Sequence, residues 1–82
     1  MPTRYETSRG VEWRDKRGWY HRKGDQPAVE YNNGTRVWYR HGEIHRDGDL
    51  PAKVSNDGLQ EWWREGVLDR KKGPAIIHPD GS

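Results

Sequence analysis

The chain has 82 residues, with 15 Lys and Arg against 13 Asp and Glu, and it contains neither Cys nor Phe. That length allows at most one small domain, and the absence of cysteine excludes disulfides and thiolate metal sites and points to a reducing compartment. The well-mixed charge is too weak a bias to identify a nucleic-acid partner, and no apolar run reaches membrane-spanning length or reads as a signal peptide. The expectation is a cytoplasmic protein with no membrane insertion.

Only 29% of the residues are hydrophobic, yet five Trp and four Tyr carry enough apolar area to seed a thin core. Along the chain, residues 4–10 read as the tail of a repeat unit. Three self-similar segments follow: VEWRDKRGWYHRKGDQPAVEYNNG over 11–34, TRVWYRHGEIHRDGDLPAKVSNDG over 35–58, and LQEWWREGVLDRKKGPAIIHPDG over 59–81. The third lacks one residue between Arg70 and Pro74. All ten glycines fall into three columns: Gly10, Gly34, Gly58 and Gly81 close the units; Gly18, Gly42 and Gly66 lie at mid-unit; Gly24, Gly48 and Gly73 precede Pro27-Ala28, Pro51-Ala52 and Pro74-Ala75. A period of this kind is the signature of a repeat architecture.

Within each unit the expected elements recur in the same order. A strand containing Trp13, Trp38 or Trp62 runs into a turn at Arg17-Gly18, His41-Gly42 or Glu65-Gly66. A return segment passes Tyr20, Ile44 or Leu68 into the Pro-Ala block. The next turn comes at Asn33-Gly34, Asp57-Gly58 or Asp80-Gly81, strong hairpin signals between strand-like residues. No stretch sustains a helical period. The predicted fold is all-β: an antiparallel meander of about three hairpin repeats, forming a single twisted sheet or a small roll.

Strand side chains alternate between faces, so aligned columns predict a core. The columns Trp13/Trp38/Trp62, Tyr20/Ile44/Leu68 and Ala28/Ala52/Ala75 are the candidates. Tyr39 and Trp63 are out of phase with the tryptophan column and, with Trp19, should be partly exposed beside Arg36, Arg40 and Arg64. Aromatic rings beside arginine are the composition of interaction hot spots. These six residues are the candidate partner-binding surface.

Chemistry is harder to find. His21, His45 and Asp69 occupy equivalent positions, but equivalent positions on successive hairpins are two strands apart, about 10 Å, too far to share one metal ion. Hydrogen bonds from His and Arg to the loop that follows them account for the column instead. No nucleophile elbow, phosphate cradle or catalytic set is present, so no enzyme activity and no cofactor are expected. Two basic patches, Lys16-Arg17 and Arg70-Lys71-Lys72, lie near aromatic rings. They make single-stranded nucleic-acid binding the alternative to protein binding.

The runs Trp38-Tyr39-Arg40-His41-Gly42-Glu43-Ile44-His45 and Trp62-Trp63-Arg64-Glu65-Gly66-Val67-Leu68-Asp69 resemble the W/Y-x-x-G-x-x-H centre of MORN-type repeats. The likeness is nearer to a variant with an H-R-x-x-G-P-A tail, similar to repeats of phage, giant-virus and bacterial proteins, and it covers residues 13–81. This chain departs from ordinary MORN units in having Arg after the His, an added Pro-Ala block, and Asp69 for the last His. The resemblance implies an extended array of β-hairpins that binds proteins, or sometimes lipid head groups, often with self-association. A short array of this kind fits a small protein that binds and blocks or bridges another, such as a phage-type inhibitor of a host-defence system. Homodimerisation is expected, because a thin core leaves sheet edges to cover.

Overall fold

The computed structural model describes residues 2–81, and among them the chain is all-β with no helix, hence with no helix long and apolar enough to cross a membrane. Seven antiparallel strands form the main sheet, in the order β1 (Thr3–Thr7), β2 (Gly10–Arg14), β3 (Val29–Tyr31), β4 (Arg36–Val37), β7 (Lys53–Val54), β8 (Gln60–Glu61) and β11 (Ile76–Ile77). The sheet is open, not closed into a barrel. Two hairpin ribbons stand apart from it: β5 (Tyr39–Arg40) with β6 (Glu43–Ile44), and β9 (Trp63–Arg64) with β10 (Val67–Leu68). The predicted meander is therefore present, and its mid-unit hairpins leave the main sheet as separate flaps. In the first unit the flap is reduced to one bridge between Arg14 and Tyr20. Residues 4–10, read as the tail of a unit, supply most of β1, which pairs with β2 as β3 pairs with β4.

Each tryptophan of the column is the pivot from sheet to flap. Trp13, Trp38 and Trp62 donate their amides to the carbonyls of Ala28, Ala52 and Ala75 at 2.7–2.8 Å, and their carbonyls accept from the amides of His21, His45 and Asp69 at 3.0 Å. Alanine in this position lets the backbones close up, and Ala28 and Ala52 are completely buried.

Turn chemistry follows the sequence closely. Asn32-Asn33-Gly34 and Asn56-Asp57-Gly58 form three-residue loops, closed by Tyr31 N–H to Thr35 O and by Ser55 N–H to Leu59 O. Asn33 and Asp57 side chains accept the amides of Thr35 and Leu59 at 2.9 and 3.1 Å. The mid-unit turns of the second and third units are tighter. His41-Gly42 and Glu65-Gly66 connect Arg40 to Glu43 and Arg64 to Val67, with φ of 47° and 86° in one and 51° and 81° in the other. Two successive positive φ values are the two-residue hairpin turn that matches strand twist. The first unit has one residue more here. Its loop Lys16-Arg17-Gly18 is closed by Asp15 N–H to Trp19 O, and Asp15 Oδ1 accepts the amides of Arg17 and Trp19.

The core is small and centred on the second unit: Ala28, Val29, Val37, Trp38, Ala52 and Trp62, with His21, Thr35 and His45 as buried polar members. Two of the predicted columns hold for two of their three members. Trp38 and Trp62 are buried while Trp13 is half-buried, and Ala75 is half-buried at the far end. The Tyr20/Ile44/Leu68 column is not core: Tyr20 and Ile44 are half-buried and Leu68 is exposed, because these residues lie on the flaps. Val29 and Val37, cross-strand partners on β3 and β4, take that role.

An arginine from each Pro-Ala block covers each tryptophan. The guanidinium carbons of Arg22, Arg46 and Arg70 lie 3.5, 3.9 and 3.9 Å from the ring centroids of Trp13, Trp38 and Trp62. Their Nη1 groups donate to the carbonyls of Pro27, Pro51 and Pro74 at 3.1–3.2 Å. Stacking of this kind contributes about 0.5–2 kcal/mol each. Arg46 and Arg70 also reach back one unit, each making a two-pronged ion pair with Asp25 and Asp49 respectively.

Candidate functional site

The second joint between units is made by histidine. The amide of His41 donates to Nδ1 of His21 at 3.1 Å, and that of Glu65 to Nδ1 of His45 at 3.0 Å. Beside them the amides of Gly42 and Gly66 donate to the carbonyls of Tyr20 and Ile44. The two outward amides of each tight turn are thus received by the preceding unit. His21 is held below the ordinary imidazole range, first by its burial and then by the neighbouring His41, so the neutral ring that accepts this bond is the favoured form. The expected bonds to the following loop are also present: Arg22, Arg46 and Arg70 make them to proline carbonyls, and His45 Nε2 meets Asp47 Oδ1 at 2.8 Å. Among the described residues, no group of three or more His, Cys, Asp or Glu could hold a metal ion.

Between flaps and sheet lies a groove of about 300 Å³. Tyr39 and Ile44, cross-strand neighbours on the first flap, form one wall with Trp63 of the second; Tyr31, Lys53 and Glu61 of the main sheet form the floor. Tyr39 and Trp63 are half-buried. The Tyr39 ring lies 4.9 Å from that of Tyr20 at 49°, and burial raises the pKa of both phenols. Trp63 Nε1–H donates to Glu61 Oε1 at 3.1 Å, and Glu61 also approaches Lys53 Nζ at 3.9 Å. A neighbouring hollow of about 230 Å³ continues along Tyr31 past Val29, Glu12 and Tyr20. There Arg14 pairs with Glu12 at 2.7 Å and lies over the Tyr20 ring at 4.5 Å.

Of the six predicted surface residues, Tyr39 and Trp63 come together in this groove and the other four lie outside its lining. Arg40 and Arg64 are the next residues on β5 and β9, so the strand alternation turns them to the opposite side; both are exposed. Arg40 lines the space around His45 and Asp47, and Arg64 that around Asp49 and Arg70. Arg36 lies on the tryptophan side of the sheet, its guanidinium 5.7 Å from Trp38. Trp19 belongs to the first unit's loop, is 45% exposed, and rests against Gly42 of the next unit. Of the groove residues, the sequence reading assigns Ile44 to the core and does not single out Tyr31, Lys53 or Glu61. Tyr31 could have been found from its spacing of two from Val29 on the same strand.

Comparison with protein-family models, with curated proteins and with solved structures finds no match at a significant level.

Proposed function

We propose that this chain is a small protein-binding module of the MORN-like repeat type, whose groove around Tyr39 and Trp63 receives a segment of a partner protein that it blocks or bridges. One observation carries the reading: equivalent rings from two adjacent units are half-exposed in one groove. Large aromatic rings held by a scaffold but open to solvent are what interface anchors require. The charged groups beside them are already paired, Lys53 with Glu61 and Arg14 with Glu12. The groove therefore lacks the run of free cations that a nucleic-acid backbone demands, which favours protein over single-stranded nucleic acid. Self-association belongs to the same proposal, through the outer edge of β1, whose five residues are all exposed.

Affinity capture followed by titration tests the groove. Tyr39→Ala and Trp63→Ala should each weaken the captured complex by about tenfold or more, while Arg36→Ala, on the other side of the sheet, should not. Full retention by both groove variants refutes the assignment. A steep loss of oligonucleotide affinity with salt would favour the nucleic-acid reading instead. A monomer in analytical ultracentrifugation at high concentration would remove the homodimer.

A further inference from the structure

The residue two places after the histidine differs between units, and the difference opens a site. In the second unit His45 Nε2–H donates to Asp47 Oδ1 at 2.8 Å, and the same oxygen lies 3.6 Å from Arg40 Nη1. The Asp47 carboxylate, its side chain 82% exposed, thus lies between an imidazole and a guanidinium at the surface. The first unit has the same ring in the same setting. His21 is only 9% exposed, and its Nδ1 is taken by the His41 amide. A neutral ring whose Nδ1 accepts carries its proton on Nε2. But Asp47 is matched here by Lys23, which can only donate. Among the described residues, none accepts from His21 Nε2.

An open depression of about 590 Å³ lies beside the His21 ring, lined by Pro2, Asp15, Lys16, Arg17, His21, Lys23 and His41. Lys16, Arg17 and Lys23 form no ion pair with any other described residue. The one carboxylate in the lining is committed elsewhere. Asp15 Oδ2 meets His41 Nδ1 at 2.8 Å, Oδ1 accepts the amides of Arg17 and Trp19 at 2.9 and 3.0 Å, and the side chain is 11% exposed. The His41 ring stacks on His21 at 3.9 Å with 10° between planes, and its side chain is 60% exposed. Three cations without a carboxylate partner, of which Arg17 lies 5.0 Å over the Trp19 ring, and the free N–H of the His21 ring therefore surround a space that, one unit along, one of the chain's own surface carboxylates occupies.

We propose that this depression binds a small oxyanion, one oxygen of which takes at His21 Nε2 the place that Asp47 takes at His45. Three flexible cations, against the single Arg40 beside Asp47, suit a doubly charged phosphoryl group better than a carboxylate. The site lies at the first unit's loop and shares no lining residue with the aromatic groove, so it stands or falls independently of the partner-binding reading.

The test is a titration of the whole chain with inorganic phosphate and, separately, with acetate. Ionic strength is held constant with chloride, and the histidine ring nitrogens are followed by NMR. A saturable shift of His21 Nε2 is expected, reached at lower concentration with phosphate. Tighter phosphate identifies a phosphoryl ligand, and equal or tighter acetate a carboxylate; both sustain the site. Lys23→Asp supplies the carboxylate found in the second unit, so it should keep the melting temperature and weaken phosphate binding by about tenfold or more. Lys23→Gln removes the cation without supplying an acceptor; it should also weaken phosphate binding, and it keeps the test decisive if Lys23→Asp misfolds. No saturable shift at His21 with either anion, or undiminished phosphate binding by both variants, overturns the proposal.

Discussion

The joint between the first and second units and the joint between the second and third share one frame and differ in what surrounds it. Both place a turn amide on a histidine Nδ1, a glycine amide on a strand carbonyl, and an arginine on the aspartate of the preceding unit. Around the first joint stand His41 stacked on His21, Tyr39 against Tyr20, Trp19 against Gly42, and Trp38 Nε1–H donating to Asp25 O at 3.2 Å. Around the second, Glu65 replaces His41, only the side chain of Glu43 approaches Gly66, and buried Trp62 Nε1 has no acceptor among the described residues. Val67, Leu68 and Ile76 of the third unit are exposed. The frame is therefore set by backbone donors and a few repeated side chains, and aromatic packing reinforces one joint and not the other.

Substitutions should expose that asymmetry. The largest effect is expected from Trp38→Ala, about 3–5 kcal/mol as for other buried tryptophans, because the ring is 5% exposed and its N–H is satisfied. Trp62→Ala should cost measurably less, since it also removes an unpartnered donor. Denaturant melts of the two variants settle the order, and equal losses would erase the distinction between the joints.

Next come the tight turns. Alanine at either Gly42 or Gly66 must adopt a left-handed backbone, at about 1–2 kcal/mol. At Gly42 its Cβ would also stand 3.3 Å from the Trp19 side chain, whereas at Gly66 it meets the flexible end of Glu43 at 3.5 Å. Gly42→Ala should therefore lower the melting temperature more than Gly66→Ala.

The smallest effect concerns pH. His21 binds its proton less readily folded than unfolded, so the unfolded state takes up more protons on acidification and stability rises with pH. Its contribution is complete above the ordinary imidazole value of about 6.5 and is lost as the pH falls through the lower folded value. Asp15, Asp47 and Asp49, whose carboxylates are held low first by His41, His45 and Arg70 respectively, add a separate loss below the ordinary carboxylate range. His21→Gln keeps an acceptor for the His41 amide and should flatten the upper limb alone. An unchanged limb would show that His21 does not govern it.

Much of the frame is legible in the chain itself, because it is local. Gly-ended turns and the tryptophan column announce hairpins and a buried side, and both are found. The flaps were harder to see. Whether His41-Gly42 closes a two-residue turn and Lys16-Arg17-Gly18 a three-residue one depends on a single extra residue; the amides of the longer loop are taken by its own Asp15, those of the shorter one by the preceding unit. Once the flaps leave the sheet, Ile44 and Leu68 leave the core with them. The histidine column was visible, but its partners are backbone amides, which carry no side-chain signal. For the groove, Tyr39 and Trp63 were within reach of period-two reasoning. The same reasoning separates them from Arg40 and Arg64, their immediate neighbours.

The short reach of these joints makes the protein extendable. Splicing a duplicate of residues 35–58 after Gly58 would hand the newcomer everything it needs: His45 waiting for a turn amide, the Ile44 carbonyl for a glycine, and Asp49 for an arginine. Length could then be dialled in steps of one 24-residue module, giving a ruler whose graduations are indoles.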